Sequence, residues 1–380
     1  MKHVTPYLSR TRKVLAVVAA GALLLGASAC SSGDSGSEPG AAGQSTGSLE
    51  GNGQSIVVFM PSTATIYQSD FAASAREEAK RLGYEIKIFE NKTDQTEQDQ
   101  QVQQFIATGE TPAAFIWWPS NAQAGINSSR LLSQVAPVIQ TNQAVLPEGE
   151  EYITAYAGVR AFGIGESMGE MAKTAREEAG SALHSPEGNT LEFTFPAGYQ
   201  SGIDRSDGFQ EATKDAPFNL LQKEPNIQGF DSQATFNTAS QVVPKFLGEG
   251  IDFVLAQNLS MAAGAVTALE QNGLTPGKDV YVIAGNDAGD KTPLLEGKVY
   301  SAVVQSPVIE GKLAVQTVAR YVATGEVTDE TVYLELEPEA PELKAEPPAK
   351  VTYMPNPPIR LQDIDGFKFW GLSYQELGSQ

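Results

Sequence analysis

Short runs of β-branched and aromatic residues alternate with longer amphipathic stretches from residue 55 onward. Residues 55–60, SIVVFM, have the composition of a buried strand, and residues 84–90, YEIKIFE, have that of a second strand. Between them, residues 71–83 place apolar side chains at helical spacing and end in a glycine. Strand, helix and strand at this spacing are typical of βαβ units, whose strands are parallel. The pattern therefore predicts an α/β protein built on parallel sheets.

The alternation continues to about residue 325. Further helices are predicted over 97–109, 166–179, 205–214, 235–247, 260–273 and 311–325, and further strands over 113–118, 136–141, 190–195, 218–223, 252–257, 279–285 and 299–305. Beyond residue 336 the chain becomes rich in proline and acidic residues, and the alternation ends. This composition predicts an extended tail or a strap along the surface.

The N-terminal residues indicate export. A basic start is followed by an uncharged apolar run over 14–29, which is shorter than the roughly 20 residues of a membrane span. The run ends in ASAC, and Cys30 is the only cysteine of the chain. These features resemble a bacterial lipoprotein signal, so 1–29 is the expected signal peptide and Cys30 the expected lipidation site. The alternative is an ordinary signal followed by an unrelated cysteine.

A flexible tether is expected at the start of the mature chain. Residues 30–54 are rich in glycine and serine and contain almost no apolar side chains, so they cannot bury enough surface to fold. The protein is therefore expected in the cell envelope, held by its lipid on the outer face of the cytoplasmic membrane.

The balance of residue types excludes several classes of function. The chain has 26 Lys and Arg against 46 Asp and Glu, a formal net charge of −20, and nucleic-acid binding needs clustered basic side chains instead. Of its two histidines only His184 follows the signal, so a Ser-His-Asp triad or a zinc site has too few residues. No glycine-rich nucleotide-binding motif follows the first strand. We expect no metal, no cofactor and no nucleic-acid partner, whereas a mechanism that uses carboxylates alone stays open.

Polar and aromatic side chains recur where the predicted strands end. Ligands of open parallel sheets bind outside the carboxyl ends of the strands, so these residues are candidates for a binding site. They are Trp117, Trp118, Asn142, Gln143, Tyr199, Gln257, Asn258, Asn286, Asp287 and Gln305. Because successive strand residues face opposite ways, one of the two tryptophans is expected in the core and the other at the strand ends.

Several segments together resemble the periplasmic-binding-protein type I superfamily, in its ribose-, galactose- and xylose-binding branch. In chain order they are EEAKRLGY (77–84), DRSDGFQEA (204–212), DFVLAQNLSMAAGAVTALEQNG (252–273), VIAGNDA (282–288) and GKVYSAVVQSP (297–307). The resemblance covers about residues 55 to 330. It implies an α/β fold of two doubly wound parallel-sheet lobes joined by three crossovers, near Gly158, Gln305 and Val327.

The same resemblance implies a division of the chain into lobes. The N-terminal lobe would comprise 55–157 and 305–326, and the C-terminal lobe 158–304 and 327–345. Residues 346–380 would form a proline-rich C-terminal extension.

The resemblance also implies ligand contacts. By position, Asn258 matches an asparagine that hydrogen-bonds sugar hydroxyls, Asp287 an aspartate that accepts two hydroxyls, and Gln305 a glutamine at the hinge edge of the site. Amides and a carboxylate suit this purpose because they offer paired donors and acceptors. Asn258 also precedes a predicted helix, so the alternative is that it serves only as an N-cap.

The chain departs from the family pattern around the expected site. The changed positions are Tyr67 and Gln68, at the stacking aromatics; Trp118, at a polar residue; Asn142 and Gln143, at an Asp-Arg pair; and Ile203, at a ligand-binding arginine. Arg205 is retained, and in the family it is structural. Tyr199 and Phe236 are further aromatic candidates, although for every aromatic candidate core packing is the alternative.

These departures favour an uncharged ligand. Fewer arginines argue against a phosphorylated or carboxylated ligand. A large ring such as Trp118 can stack on the C–H face of a sugar. We therefore expect a small neutral solute, such as a sugar, polyol or glycoside.

The expected function is that of a non-enzymatic lipoprotein that captures this solute and delivers it to the permease of an ABC transporter. One alternative is a carboxylate-only glycosidase, which would need two carboxyl groups about 5–10 Å apart. Another is the ligand-binding component of a sensor system.

Overall fold

The computed structural model describes residues 49–378, apart from 225–226, 228, 328–343, 347–349 and 355. These residues all belong to one unit of the chain, 46–380. The predicted signal peptide, the predicted lipidation site Cys30 and the predicted tether up to residue 48 lie outside the described residues. Within the described ranges, no helix combines the length and the apolar character that a bilayer crossing requires.

Helices and strands alternate along most of this unit. The strands are β1 (Ser55–Pro61), β2 (Glu85–Asn91), β3 (Ala114–Trp117), β4 (Val138–Gln140), β5 (Ala155–Val159), β6 (Asn189–Phe193), β7 (Asn219–Glu224), β8 (Phe253–Ala256), β9 (Tyr281–Ala284), β10 (Ser301–Val303), β11 (Lys344–Glu346), β12 (Lys350–Met354), β13 (Pro358–Ile359), β14 (Lys368–Phe369) and β15 (Leu372–Ser373). The helices are α1 (Ile66–Arg81), α2 (Gln95–Ala107), α3 (Ile126–Ser133), α4 (Ala161–Ala179), α5 (Gln200–Ala212), α6 (Ser232–Val242), α7 (Leu259–Gln271), α8 (Thr292–Leu295) and α9 (Pro307–Thr324).

Two sheets, one in each lobe, confirm the predicted fold class. The first lobe has the strand order β2-β1-β3-β4-β5-β12-β11, and the second has β7-β6-β8-β9-β10-β13. Neighbouring strands are parallel except for the pairs β11–β12 and β10–β13, which are antiparallel. The strands β14 and β15 form a separate antiparallel pair.

The central strands β1, β3, β4 and β5 of the first sheet are buried on both faces, as their continuous apolar runs predict. On one face Phe59 of β1 packs with Phe105 of α2 at 6.1 Å between ring centroids and with Trp117 of β3 at 6.3 Å. On the other face Trp118, one residue further along, packs with Phe71 of α1 at 5.1 Å. The two tryptophans therefore face opposite sides of the sheet, because side chains alternate along a strand.

Among the residues that the structure describes, three passages of the chain between the lobes can be identified. The first two passages, between β5 and α4 and between β10 and α9 at Gln305, agree with the predicted crossovers near Gly158 and Gln305. The third lies between Met354 of β12 and Pro358 of β13 and not near Val327.

The C-terminal segments therefore belong to other lobes than the sequence predicted. Strand β11 joins the first sheet, although 327–345 was assigned to the C-terminal lobe. The expected extension 346–380 supplies β12, which pairs in parallel with β5, and β13, which pairs with β10. These strands are short and lie among prolines, which depress the strand signal in a sequence.

Helix α1 begins at Ile66, earlier than the predicted start at residue 71. The hydroxyl of Thr65 accepts a hydrogen bond from the Gln68 backbone N–H at 3.4 Å and so caps the helix. This cap brings Tyr67 and Gln68 onto the first turn, at the carboxyl end of β1.

Two glycines allow α4 and α5 of the second lobe to touch. A Cβ atom on Gly165 of α4 would lie 2.0 Å from the backbone oxygen of Arg205, and one on Gly208 of α5 would lie 2.0 Å from that of Phe162. Because no side chain separates the backbones, α5 is held at a depth that buries Arg205.

Replacing Gly165 with alanine should lower the free energy of unfolding by about 1–3 kcal/mol, the usual cost of overpacking. Gly163→Ala on the same helix is the control, because the nearest atom there belongs to the flexible Arg160 side chain, at 3.3 Å. That variant should be neutral or gain up to about 1 kcal/mol from helix propensity. Chemical denaturation measures both, and equal midpoints would contradict the close contact.

Candidate functional site

A cavity of about 410 Å³ lies at the carboxyl ends of the strands of both sheets. The first lobe contributes residues that follow β1, β3 and β4, and the second contributes residues that follow β6, β8 and β9, with Gln305 after β10. The lining residues are Ala64, Thr65, Ile66, Tyr67, Gln68, Trp118, Asn142, Phe195, Tyr199, Ser201, Arg205, Phe230, Asp231, Asn258, Ser260, Asn286, Ala288, Gly289 and Gln305.

Most of the predicted ligand residues line this cavity. They are Tyr67, Trp118, Asn142, Tyr199, Asn258 and Gln305. Three others do not line it. Gln143 is fully buried beside the wall, Phe236 packs half-buried in the core of the second lobe, and Asp287 is buried outside the cavity.

In two of these cases, neighbouring residues beyond one strand end point in different directions. Asn286 enters the cavity wall and Asp287, the next residue, turns away, where its carboxylate accepts the Gln305 backbone N–H at 2.9 Å. After β4, Asn142 likewise lines the cavity, whereas the neighbouring Gln143 does not. The sequence identifies the strand ends, but the direction of each side chain depends on the local turn.

Aromatic rings form much of the cavity wall. On the first-lobe side Tyr67 meets Trp118 edge to face, with centroids 6.0 Å apart. On the second-lobe side Phe195, Tyr199 and Phe230 contact one another with centroids 5.0–5.4 Å apart. The rings therefore offer apolar faces from both lobes.

Asn258 has the contacts of an N-cap. Its side-chain oxygen accepts the Met261 backbone N–H at 2.7 Å at the start of α7, and its amide donates to the Phe230 carbonyl at 2.9 Å. Asn258 thus holds the loop that carries Phe230 against α7. Within the protein Asn258 therefore acts as an N-cap, and its side chain also borders the cavity.

Arg205 is the charged group at the centre of the site. Its guanidinium donates to the Gln257 carbonyl at 2.5 Å and to the side-chain oxygen of Gln305 at 2.7 Å, and it lies 5.1 Å from the centre of the Phe195 ring. Asn286 donates to the same Gln305 oxygen at 3.1 Å. Burial lowers the pKa of Arg205 to about 10, which leaves it charged at neutral pH.

Gln305 continues this chain of hydrogen bonds into the first lobe. Its side-chain amide donates to the Tyr67 hydroxyl at 2.7 Å, and that hydroxyl donates to Glu310 of α9. Glu310 also accepts from Thr141 at 3.3 Å and from Asn142 at 3.3 Å. Burial raises the pKa of Glu310 to about 7, and the hydrogen bonds from Tyr67, Asn142 and Thr141 oppose this rise.

Several buried polar atoms around the cavity have no protein partner of hydrogen-bond geometry among the described residues. Three belong to lining residues: Gln68 Oε1, Arg205 Nε and Trp118 Nε1, the last of which lies beside the Tyr199 hydroxyl without meeting hydrogen-bond geometry. The side-chain amide of Gln143 and Gln257 Oε1 are buried likewise. Buried polar groups without partners are costly and uncommon in proteins, so their concentration here marks a site for polar ligands or water.

Hydrogen bonds join the two lobes across the cavity. The Tyr199 hydroxyl donates to Asn142 Oδ1 at 3.3 Å, and Ser201 donates to the Asn142 carbonyl at 3.3 Å. Near the rim Asn121 donates to the Gly198 carbonyl, also at 3.3 Å. Asn142 adopts φ +63°, which favours Asn among non-glycine residues and turns its side chain toward both lobes.

Several lining residues were not predicted from the sequence. They are Phe195, Ser201 and Phe230, together with Arg205, which the family resemblance implies to be structural. The strand-end rule could have found Phe195, which follows β6 closely. Phe230 lies in a loop before α6 and has no such signal. Among the described residues, no three His, Cys, Asp or Glu side chains are placed to hold a metal ion.

Comparison with known proteins agrees with this architecture. Residues 56–326 match the family model described as a periplasmic binding protein domain. The ribose import binding protein of Escherichia coli strain K12 is 26% identical over 251 residues, which cover 64% of this chain and 76% of that protein. The galactofuranose-binding protein of the same organism is 26% identical over 259 residues, which cover 61% of this chain and 71% of that protein.

Solved structures share the fold. A galactofuranose binding protein has a TM-score of 0.68 at 19% identity, covering 82% of this chain and 95% of its own. An ABC transporter solute binding protein from Bacillus halodurans C-125 with bound myo-inositol has a TM-score of 0.64 at 22% identity, covering 83% and 97%. The family match spans most of the chain. This chain therefore belongs to the periplasmic binding protein family and has its type I arrangement of two α/β lobes.

Proposed function

We propose that this protein is an exported, lipid-anchored solute-binding protein. It captures a small neutral sugar, polyol or glycoside in the cavity between its lobes and delivers the ligand to the permease of an ABC transporter. Tyr67, Trp118, Asn142, Tyr199, Asn258 and Gln305 contact the ligand, together with Gln68 and Arg205.

One observation carries the proposal: aromatic faces and buried polar atoms without protein partners occupy the same cavity wall. Aromatic faces pack on the C–H faces of a sugar ring. Trp118 Nε1 and Arg205 Nε are donors for hydroxyl oxygens, and Gln68 Oε1 is an acceptor for a hydroxyl hydrogen. A ligand with many hydroxyl groups would satisfy all three, which is why a sugar fits better than an apolar ligand.

The arginine in the wall is compatible with an uncharged ligand. Both terminal nitrogens of Arg205 already donate, to Gln257 and to Gln305, and Nε is its one nitrogen without a partner. The end-on fork of two terminal nitrogens that binds carboxylates and phosphates is therefore already engaged within the protein. The Glu310 carboxylate behind the wall favours the charged form of Arg205. An anionic ligand would find little uncompensated positive charge here.

The cavity gives little support to the alternative of a glycosidase. Asp231 is the only carboxylate among the lining residues. It is exposed and caps α6, where it accepts the Ala234 backbone N–H at 2.9 Å. Hydrolysis of a glycosidic bond uses two carboxyl groups that flank it, so the site is suited to binding and not to catalysis.

Delivery to a transporter is supported by the relatives. One is a ribose import binding protein, and a structural neighbour is the solute binding protein of an ABC transporter. Anchoring is supported by the sequence, in which Cys30 follows a basic and then apolar N-terminus.

Sugars should stabilise the protein. Ribose, myo-inositol and methyl galactofuranoside are the first probes in a thermal-shift assay, and a ligand at 100 times its dissociation constant adds about 2.7 kcal/mol. Trp118→Phe keeps a ring but removes the Nε1 donor, and should weaken binding of the best probe roughly tenfold, which is about 1.4 kcal/mol.

Trp117→Phe is the matched control, because that side chain packs on the opposite face of the sheet. It should lower stability without changing affinity at a temperature where the protein stays folded. If no sugar, polyol or glycoside stabilises the wild type, the ligand class is wrong. Equal losses of affinity in both variants would refute the assignment of Trp118 to the site.

Membrane retention should depend on Cys30. In the Cys30→Ala variant the lipid has no attachment site, so the protein should appear in the soluble fraction or remain unprocessed. Fractionation of cells that express each form measures this, with Ser31→Ala as the neighbouring control. Unchanged retention of Cys30→Ala would refute the anchor.

Two buried acids behind the wall should make stability depend on pH. Burial raises the pKa of Glu310 from 4.5 to about 7 and that of Asp287 from 3.8 to about 6. Between the ordinary and the raised pKa of each acid, the folded chain binds more protons than the unfolded chain. The free energy of unfolding should therefore fall as the pH rises through this range, by at most about 1.4 kcal/mol per acid for each step of one in pH.

Glu310→Gln should flatten this decline, because its amide carries no titrating proton. Denaturation of the variant, the wild type and the exposed control Glu211→Gln between pH 4.5 and 8 provides the comparison. A wild-type stability that rises across this range would show that Glu310 is ionised and well stabilised in the folded protein.

A further inference from the structure

The C-terminal segment Asn356–Gly378, here called the hinge strap, lies beyond the family domain, which ends at residue 326. It is nonetheless well packed. Phe369, Trp370, Tyr374 and Leu377 are all buried. A segment of this kind has a structural task in this protein that the family domain alone does not include.

The hinge strap is attached first to the second lobe. Strand β13 pairs with β10, and Ile359 is fully buried. Arg360 donates with both terminal nitrogens to the Glu178 carboxylate of α4, at 2.9 and 3.0 Å, and its guanidinium lies 4.2 Å from the centre of the Tyr300 ring. A two-pronged arginine contact of this type fixes geometry as well as position.

It then supports the loop that follows β9. Lys291 is buried, donates to the Tyr374 carbonyl at 2.7 Å, and lies 4.2 Å from the centre of the Tyr374 ring. The same loop carries Asn286 and Asp287, which bind the side chain and the backbone of Gln305, respectively. The strap therefore supports the loop that orients Gln305 at the cavity.

The end of the strap reaches the first lobe. The Ser306 hydroxyl donates to the Leu377 carbonyl at 2.5 Å. Ser306 is the N-cap of α9, a helix that packs against α1 in the first lobe. Near the middle crossover, Val304 donates its backbone N–H to the Pro357 carbonyl at 2.8 Å. The strap thus touches both lobes next to the two C-terminal crossovers.

We infer that the hinge strap is a brace that holds the two lobes close together and positions Gln305 through the loop 286–291. The same arrangement gives Asp287 a positioning role in this chain, since it holds the Gln305 backbone from outside the cavity.

The brace has a consequence for binding that does not depend on the identity of the ligand. A binding site formed by two lobes is competent only in the fraction of molecules whose lobes are close, and the apparent dissociation constant rises as that fraction falls. A strap that favours the closed arrangement raises the fraction of competent molecules before the ligand binds, and so lowers the apparent dissociation constant. Because the lobes are already hydrogen-bonded across the cavity, the strap and the site favour the same arrangement.

The test uses the full-length, ligand-free protein, so it stands apart from whether sugars bind. Leu377→Ala removes the buried side chain at the first-lobe end of the strap, and Gln375→Ala, an exposed residue nearby, is the matched control. Small-angle scattering should give a larger radius of gyration for Leu377→Ala only. Hydrogen exchange at the Val304 and Gln305 amides should be at least about tenfold faster in that variant, a change of about 1.4 kcal/mol in local stability.

An unchanged radius and unchanged exchange in a folded Leu377→Ala would overturn the inference. If that variant does not fold, Lys291→Met carries the test, because it removes the contact with Tyr374 and keeps a long apolar stem. Faster exchange at Gln305 in Lys291→Met would support the brace, and wild-type exchange there would overturn it.

Discussion

The buried charge of Arg205 is the constraint on which the site depends. An isolated cation inside a protein costs several kcal/mol unless its donors are engaged and an opposite charge lies near. Here the Gln257 carbonyl and the Gln305 side chain accept from it, and the Glu310 carboxylate stabilises its charged form. The Gly165 contact between α4 and α5 places Arg205 at this depth.

The hydrogen bonds between Arg205 and Glu310 also set the direction of each polar group. Because the Tyr67 hydroxyl donates to Glu310, its oxygen is free to accept from the amide of Gln305. The oxygen of Gln305 then faces Arg205 and Asn286. Gln305 lies at a crossover, so a movement of one lobe relative to the other changes this series of hydrogen bonds. The cavity wall and the arrangement of the lobes are therefore linked through a few defined hydrogen bonds.

The sequence predicts the fold well because the alternation of strands and helices is a local property. Strand β1 and helix α7 lie within a few residues of their predicted bounds. The C-terminal strands were missed because β12 gains its place by pairing with β5, a contact nearly two hundred residues away that leaves no local pattern. The end of the chain shows the same limit, since the burial of Tyr374 and Leu377 depends on the loop 286–291 and on Ser306.

The site was predictable to the level of the strand ends. Asn142, Gln305 and Trp118 were found because they follow strands, and the structure brings them to one cavity. Asp287 was predicted to line the cavity, but Asn286 lines it instead, because the loop conformation decides which of the two neighbours faces the cavity. Asp287 lies on the side of the loop that the hinge strap covers. Glu310 escaped notice because it lies inside a helix and acts on the cavity through Tyr67 and Asn142.

The wall formed by Trp118 and Arg205 is proposed above all to bind a neutral, hydroxyl-rich ligand. A crystal structure of the protein with the sugar that stabilises it most tests this directly. We expect a sugar ring in the cavity, with Trp118 at its face and hydroxyl groups within hydrogen-bond distance of Arg205 Nε and Gln68 Oε1. A sugar bound elsewhere, or one in the cavity that leaves these atoms without a partner, would contradict this role of the wall.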